Sequence, residues 1–407
     1  MRNNLILSNL LWRFAERCGA QVVSFLVSVV LARLLAPSDY GTVALMLIFI
    51  NILNVFVDGG FSTALIQKKN ADDLDFSTIF FFNLFSCVIL YLALFAASPL
   101  IASFYNRPEM KSMIRVLGIY LLVSGVKSVQ TSYVSRHMIF KRFFFSTLGG
   151  TIGAAFVGVG MAVMGFGAWA IIAQSLFNNI MDTVILWATV KWRPKIQFSF
   201  QRLKELFGFG WKMLLSGLLN TVYDNLRSLI IGKVYSSEDL AFYNKGDQIP
   251  NLVVNNINVS IDSVLLPALS ASQDNTLAVK KMTRRSMQIS TYVMAPLMLG
   301  LVACAKPLVR LLLTEKWIPC VPFMCIFCIT YIFYPVHTAN LNAIKALGRS
   351  DLFLKLEIAK KIVGLIAIAV TAPISVMAMG YSALITCVFC HIINSCPNKK
   401  LVYYIYI

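Results

Sequence analysis

Charge is what this chain has least of. Asp and Glu together number 18 in 407 residues, histidine occurs three times, and all charged types make up 13% of the sequence. A soluble domain carries about 25%, so the bulk of this protein is not a solvated globule. Long polar stretches are missing too: the longest, KWRPKIQFSFQRLKE at 191–205, is too small to fold as a soluble domain. No GxxxxGK[ST] occurs, which excludes direct use of ATP through a P-loop. His137, His337 and His391 show neither triad nor metal-ligand spacing. With outer loops this short, a membrane enzyme such as a glycan polymerase or ligase is disfavoured, and no catalytic residue is expected. A cleavable leader is not expected either. The first apolar patch runs into Arg13, Glu16 and Arg17 without a small-residue cleavage site, so the first span is expected to remain as an anchor.

What the chain has instead is apolar length. Hydrophobic residues make up 58% of it, in runs long enough to cross a bilayer, which takes about 20 residues each. We expect an all-α integral membrane protein with about twelve spans: 11–35, 42–66, 78–104, 112–134, 143–164, 168–190, 207–233, 243–269, 287–313, 318–344, 352–374 and 376–396. With the N-terminus placed in the cytoplasm, 24 basic residues fall on inner segments against 8 on outer ones, so the positive-inside rule predicts both termini cytoplasmic. The net charge of +18 then reflects topology; the basic residues are spread over loops rather than gathered on one face, and no nucleic acid partner is expected. The CxxC pairs Cys325–Cys328 and Cys387–Cys390 enclose Ile, Val and Phe inside predicted spans. They read as packing residues, with no metal and no cofactor expected.

The polar segment 191–205 divides the spans six and six. The expected organisation is an N-terminal six-helix lobe over 1–190, a cytoplasmic linker over 191–205, a C-terminal six-helix lobe over 206–396 and a short tail over 397–407, with a central cleft between lobes. A weak internal repeat supports this. VLARLLAPSDY (30–40) lies over IIGKVYSSEDL (230–240), and SPLIASFY (98–105) over KPLVRLLL (306–313). Repeats of an even number of spans share one orientation, as in transporters. Segments 191–205 and 271–286 read as amphipathic or solvated connectors. In GGTIGAAFVGVGMAVMGFG (149–167), small residues recur four apart, a spacing for close helix packing in a membrane rather than a nucleotide loop.

Ionisable residues inside spans are costly and mark function by default. Asp224 and Arg227 share a face of the seventh span, and Arg13, Glu16 and Arg17 share one in the first. The latter three either snorkel to headgroups or line a cavity. Asp58, Lys127, Asp247, Asp262 and Arg310 form a second tier, and Tyr133, Tyr223, Tyr243 and Tyr292 offer faces for sugars or form the interfacial belt. Arg13, Arg17, Arg227 and Lys127 suit an anionic cargo such as a diphosphate. Glu16, Asp58, Asp224 and Asp247 are candidates for ion pairing or for carrying a coupling proton. A hydrophobic cation would call for a lone acid in an apolar pocket, so a drug–cation antiporter is the alternative.

LARLLAPSDYG (31–41), FFFNLFSCVILYLALFAASPLIASFYNRPE (80–109), LIIGKVYSSEDLAFYNKGDQIP (229–250), VLLPALS (264–270), TEKWIPCVPF (314–323) and TANLNAIKALGRSDLFLK (338–355) together resemble the Wzx-type polysaccharide and O-antigen flippases. These belong to the multidrug/oligosaccharidyl-lipid/polysaccharide exporter superfamily. The resemblance implies movement of undecaprenyl-diphosphate-linked oligosaccharide, for capsule, O-antigen or exopolysaccharide synthesis, across a bacterial inner membrane by alternating access. It also implies coupling to H+ or Na+, contact with membrane lipids, and work beside polysaccharide polymerase machinery, with the arginines as diphosphate ligands. Arg33, Asp39 and Gly41, and Gly232, Lys233, Tyr243 and Asn244, match the family's motifs without an assigned chemistry. Family members usually continue past PNKK (397–400) into two further helices, whereas this sequence ends at LVYYIYI; a shortened C-terminus is expected.

Overall fold

The computed structural model describes residues 2–58, 60–68, 71–272 and 275–401. Among them there are α-helices, one short 3-10 helix and no strand. In hydrocarbon every backbone N–H and C=O has to be satisfied within the segment, which leaves the helix as the form open to apolar runs of this length. The chain divides into two compact units, Met1–Lys233 and Val234–Ile407.

The first unit is built from α1 (Arg2–Leu34), α2 (Pro37–Asp58), α3 (Phe61–Gln67), α4 (Asp73–Phe104), α5 (Met110–Leu117), α6 (Ile119–Arg136), α7 (Phe140–Val163), α8 (Ala168–Thr189) and α9 (Phe200–Val234). The second holds α10 (Ser237–Ala271), α11 (Thr276–Ala303), α12 (Ala305–Leu313), the 3-10 helix Glu315–Cys320, α13 (Val321–Ile332), α14 (Tyr334–Ala346), α15 (Ser350–Thr371) and α16 (Val376–Leu401). Eight stretches of the described residues are long and apolar enough to cross a membrane, with α2–α3, α5–α6 and Glu315–Ala346 each counting as one interrupted crossing. The other four predicted spans fall on α1, α9, α10 and α15, of 33, 35, 35 and 22 residues. At about 1.5 Å per residue all four are long enough to span, and each carries charged or amide residues along its length that lower its hydropathy. The all-α membrane fold is therefore as expected.

The 200-residue repeat has a structural counterpart. α1 ends at Leu34 and α2 begins at Pro37; α9 ends at Val234 and α10 begins at Ser237. Each turn is closed the same way, the Asp39 carboxylate accepting the Ala36 N–H at 3.2 Å and the Asp239 carboxylate accepting the Ser236 N–H at 3.2 Å. An acid three residues into a helix satisfies an N–H that the helix itself leaves open.

Small residues set the helix spacing in the first unit. α7 lies so close to α8 that a Cβ on Gly150 would stand 2.9 Å from Asn178 Oδ1 and 3.1 Å from the Asn178 carbonyl, while one on Gly158 would stand 2.9 Å from Gln174 Cβ. The glycine-rich run thus does the packing its spacing predicted. α9 approaches the break between α2 and α3 equally closely, with a Gly60 Cβ placed 2.2 Å from the Gly210 carbonyl oxygen.

At the end of this unit where α3, α4 and α6 meet, segment 191–205 behaves as an amphipathic strap. Trp192 and Leu203 are buried with Phe61, Leu65, Phe76 and Phe80 in one apolar cluster. The Lys195 and Ser199 N–H groups donate to Ser77 Oγ (3.1 Å) and Thr78 Oγ1 (3.2 Å), and Lys195 pairs with Asp73 at 2.7 Å. Beside it, the fully buried Asp75 is met by Lys68 at 2.7 Å and Arg202 at 3.8 Å. The Arg136 guanidinium donates to the Leu65 and Lys68 carbonyls at 2.7 and 2.5 Å. Asp72 caps α4 by accepting the Asp75 N–H. That bond, with Arg202 and Lys68 nearby, holds the Asp72 carboxyl below its ordinary range.

Gly150→Ala is expected to lower the thermal midpoint of the detergent-solubilised protein by the equivalent of about 1–3 kcal/mol, because the new methyl meets backbone. Gly160→Ala, which faces open space, should leave it unchanged or slightly raised; equal midpoints for the two would mean that the α7–α8 contact adapts. Asp75→Ala removes a buried carboxylate from two partly exposed cations and should cost about 1.5–3 kcal/mol. Because the Asp72 carboxyl titrates lower folded than unfolded, its cap adds stability at neutral pH and loses it as pH falls below about 4. Melts across acid pH of the natural protein and Asp72→Asn should converge there.

Candidate functional site

Inside the first unit, α6 and α8 are joined by a buried polar cluster. Lys127, in the middle of α6, donates from Nζ to Asn179 Oδ1 at 2.8 Å and to Asp182 Oδ2 at 3.1 Å. Asn179 and Asp182 stand three residues apart on α8 and so share a face. The Asn179 amide in turn donates to the Tyr120 carbonyl and to Ser124 Oγ, both at 3.1 Å. The Lys127 and Asp182 side chains are 23% and 18% exposed, shielded enough for the pairing to matter and open enough to meet a solute. An ammonium has three N–H donors and two are spent here, while Asp182 Oδ1 is buried without a hydrogen-bond partner.

Two cavities flank this pair. One of about 370 Å³ is lined by Ser62, Thr131, Ser132, Ser135 and Thr147; the other, of about 220 Å³, by Asn51, Tyr120, Thr147, Ser175 and Asn178. Lys127 and Asp182 border both. The larger falls in the range of small-molecule sites. In the larger, the hydroxyls of Ser62, Thr131, Ser132, Ser135 and Thr147 stand among Ile66, Phe143 and Leu186, while the amides of Asn51, Asn178 and Asn179 belong to the smaller. Such a lining offers hydrogen bonds in both directions, with one cation and one carboxylate at its centre. It can hold hydroxylated or anionic groups and gives no purely apolar pocket.

The other predicted residues are distributed as follows. Asp224 is exposed and Arg227 half-buried on α9, in the first unit and on one face of their helix. Arg13, Glu16 and Arg17 belong to α1 and Asp58 closes α2, but their side chains, like that of Asp262 on α10, lie outside the described residues. Arg33 is exposed, and Gly41 is buried in α2. Gly232 is where α9 passes Leu45, whose Cδ2 a Cβ would approach to 2.2 Å. Lys233 donates to the Phe104 carbonyl and stands 4.2 Å above the Phe104 ring. Tyr133 stacks on His137 with ring centres 4.0 Å apart, Tyr223 is half-buried and Tyr292 is exposed. Arg310 pairs with Glu315 at 2.5 Å on the surface.

In the second unit, Asp247 on α10 accepts hydrogen bonds from the Tyr331 hydroxyl and, at 3.2 Å, from Asn251 Nδ2. Tyr243 is buried against Phe323 and Phe327, at 5.7 and 5.1 Å between ring centres, and Asn244 is half-buried. Cys325, Cys328, Cys387 and Cys390 carry free thiols. No group of three His, Cys, Asp or Glu side chains among the described residues is placed to hold a metal ion.

Asp182, Asn179, Asn251 and Tyr331 were missed by sequence reasoning. Asp182 was legible as an acid inside the span 168–190. The two asparagines and the tyrosine carry no charge and become notable only through what they touch.

The profile of the polysaccharide biosynthesis protein family matches residues 30–322, and the chain belongs to that family. Over 306 residues it is 27% identical to the teichuronic acid biosynthesis protein TuaB of Bacillus subtilis, covering 73% of this chain and 62% of that protein. Over 313 residues it is 26% identical to the succinoglycan biosynthesis transport protein ExoT of Rhizobium meliloti, covering 76% and 63%. The chain thus spans less than two thirds of the length of these relatives. It is also 21% identical to the lipopolysaccharide biosynthesis protein WzxC of Escherichia coli, over 84% of this chain and 70% of that one. Among solved structures, the lipid II flippase MurJ in an inward closed conformation superposes with a TM-score of 0.76 at 12% identity, over 96% of this chain and 87% of MurJ. An inward-facing MATE family multidrug resistance transporter of the MOP superfamily superposes at 0.75 with 13% identity, over 94% of each chain. At such identities the likeness establishes a shared fold.

A double-mutant cycle on Lys127→Met and Asp182→Asn, read by thermal midpoint, should return a coupling of roughly 0.5–3 kcal/mol, with each single change worse than its share of the double. Additive effects would show that the pair does not interact.

Proposed function

We propose that this member of the polysaccharide biosynthesis protein family is a flippase. Its cargo is an undecaprenyl-diphosphate-linked oligosaccharide, moved from the cytoplasmic to the outer leaflet of a bacterial inner membrane by ion-coupled alternating access. It works as a transporter and not as an enzyme, with both termini in the cytoplasm. The observation that carries this reading is the Lys127–Asp182 pair set between two cavities, one presenting Ser and Thr hydroxyls and the other Asn amides. Sugar hydroxyls both give and accept hydrogen bonds, so a wall of Ser, Thr and Asn replaces their hydration. Lys127 supplies a point charge for phosphate, and Arg227 a planar guanidinium for the same group. A hydrophobic cation would gain nothing from Lys127, and the acid beside it is already paired.

The test is complementation. The chain is expressed in a strain lacking its own capsule or O-antigen flippase, and surface polysaccharide is scored against the amount of protein in the membrane. Rescue by the natural chain is expected. Lys127→Met and Arg227→Ala should each lower it about tenfold at equal abundance, the effect of about 1.4 kcal/mol of lost ligand contact, with Arg227→Lys in between. Full rescue by both cation-removing variants would overturn the assignment of the cationic site.

A further inference from the structure

A carboxylate in a membrane-crossing helix is relieved in one of two ways: it pairs with a cation, or it takes a proton. Among the described residues, Asp247 is met by no cation. Its hydrogen-bond partners are the Tyr331 hydroxyl and the Asn251 amide, both neutral, and no Lys, Arg or His among the described residues stands within ion-pair distance. Asn251 also donates to the Tyr331 oxygen at 3.1 Å, and Asn255 donates to Asn251 Oδ1. Asp247, Asn251 and Asn255 recur every four residues and so form a polar stripe down one face of α10, ending at Asn255, which is exposed.

The other titratable groups nearby leave this carboxylate alone. On α10 itself, Lys245 is buried two positions earlier, on the other side of the helix; it donates to Gln248 Oε1 at 2.8 Å and stands 5.7 Å above the Trp317 ring. Glu315 and Lys316 of the 3-10 helix flank that tryptophan. On α14, Tyr334 lies 4.7 Å from the Tyr331 ring, and His337 lies beyond it, 6.1 Å from Tyr334. His337 is engaged with Cys387 Sγ at 3.4 Å and Asn394 at 3.1 Å, with His391 on the same helix α16. Lys360 on α15 is paired with Glu357. The basic Lys280, Lys281, Arg284 and Arg285 sit in the first turns of α11, next to the opposite end of α10.

We propose that Asp247 is a reversible proton-binding site. A proton from water bonds to a carboxylate oxygen. The Tyr331 O–H keeps its bond to the carbonyl oxygen of the neutral acid, and the new O–H sits on the other oxygen, beside Asn251; release returns the proton to water, and no charge other than the proton's is moved. The partner set favours a proton over a metal cation, since both groups on the carboxylate are donors and Asn251 Oδ1 is already occupied by Asn255. As the device that couples export to a proton gradient, the site rests on the flippase reading; as a proton site it stands without it.

The experiment is infrared difference spectroscopy of the full chain in lipid nanodiscs, stepped between acid and alkaline pH in choline chloride and in NaCl. The expected result is a protonated-carboxyl C=O band on acidification, absent in Asp247→Asn, shifted in frequency in Tyr331→Phe and equal in the two salts. A band that survives Asp247→Asn, or one that Na+ abolishes at constant pH, overturns the proposal, the second outcome in favour of a sodium site. Tyr331→Phe keeps the test decisive if Asp247→Asn does not fold. In the complementation strain, Asp247→Glu should rescue and Asp247→Asn should not. If the natural chain fails to rescue while the infrared band behaves as expected, the flippase reading fails and the proton site remains.

Discussion

Lys127 brings an ammonium group into the interior of a helix bundle with a lipid-facing exterior, and the structure of the first unit is arranged around meeting it. α8 supplies Asn179 and Asp182 one turn apart, and Asn179 is itself held by Tyr120 and Ser124 on α6. This works because α8 is held at a fixed position by α7, whose glycines let the two backbones approach to contact. A charge–amide cluster is only as good as its geometry, since a partly satisfied buried network costs more than an apolar one. Close glycine packing and the polar cluster are therefore linked: the first fixes the distance that the second requires.

The second unit solves the same problem differently. Asp247 receives donors that carry no charge, so its environment is satisfied by hydrogen bonds while the charge itself is left uncompensated. Between a paired lysine and a carboxylate without a cation lies a functional distinction. The paired site can offer a fixed dipole and a spare donor to a polar solute; the unpaired one responds to protons. The family motifs play a third part. Asp39 and Asp239 close equivalent turns, Gly232 lets α9 pass Leu45, and Lys233 fastens to Phe104. These residues hold the frame and do not line the cavities.

Helix class, the number of crossings and the positions of the α1–α2 and α9–α10 turns were legible in the sequence, because each depends on local apolar length and on residues within a few positions. The glycine run of α7 was legible for the same reason. The segment 191–205 was legible as an amphipathic or solvated connector; Trp192 and Leu203 entering the core, and the backbone bonds to Ser77 and Thr78, decide for the amphipathic form. The candidate site was only half visible. Lys127 stood out as a charge in an apolar run, but Asp182 was overlooked, and Asn179 and Tyr331 are ordinary letters until a neighbouring helix gives them a partner.

By itself, then, the sequence determined that this chain crosses a membrane repeatedly as helices and that a few ionisable groups are immersed among apolar ones. Those properties follow from transfer free energies, which are summed residue by residue along the chain. Which immersed charge is paired and which is not was decided only by the tertiary structure. Pairing depends on distances of about 3 Å between residues some fifty to eighty positions apart, and no local property of the chain encodes that.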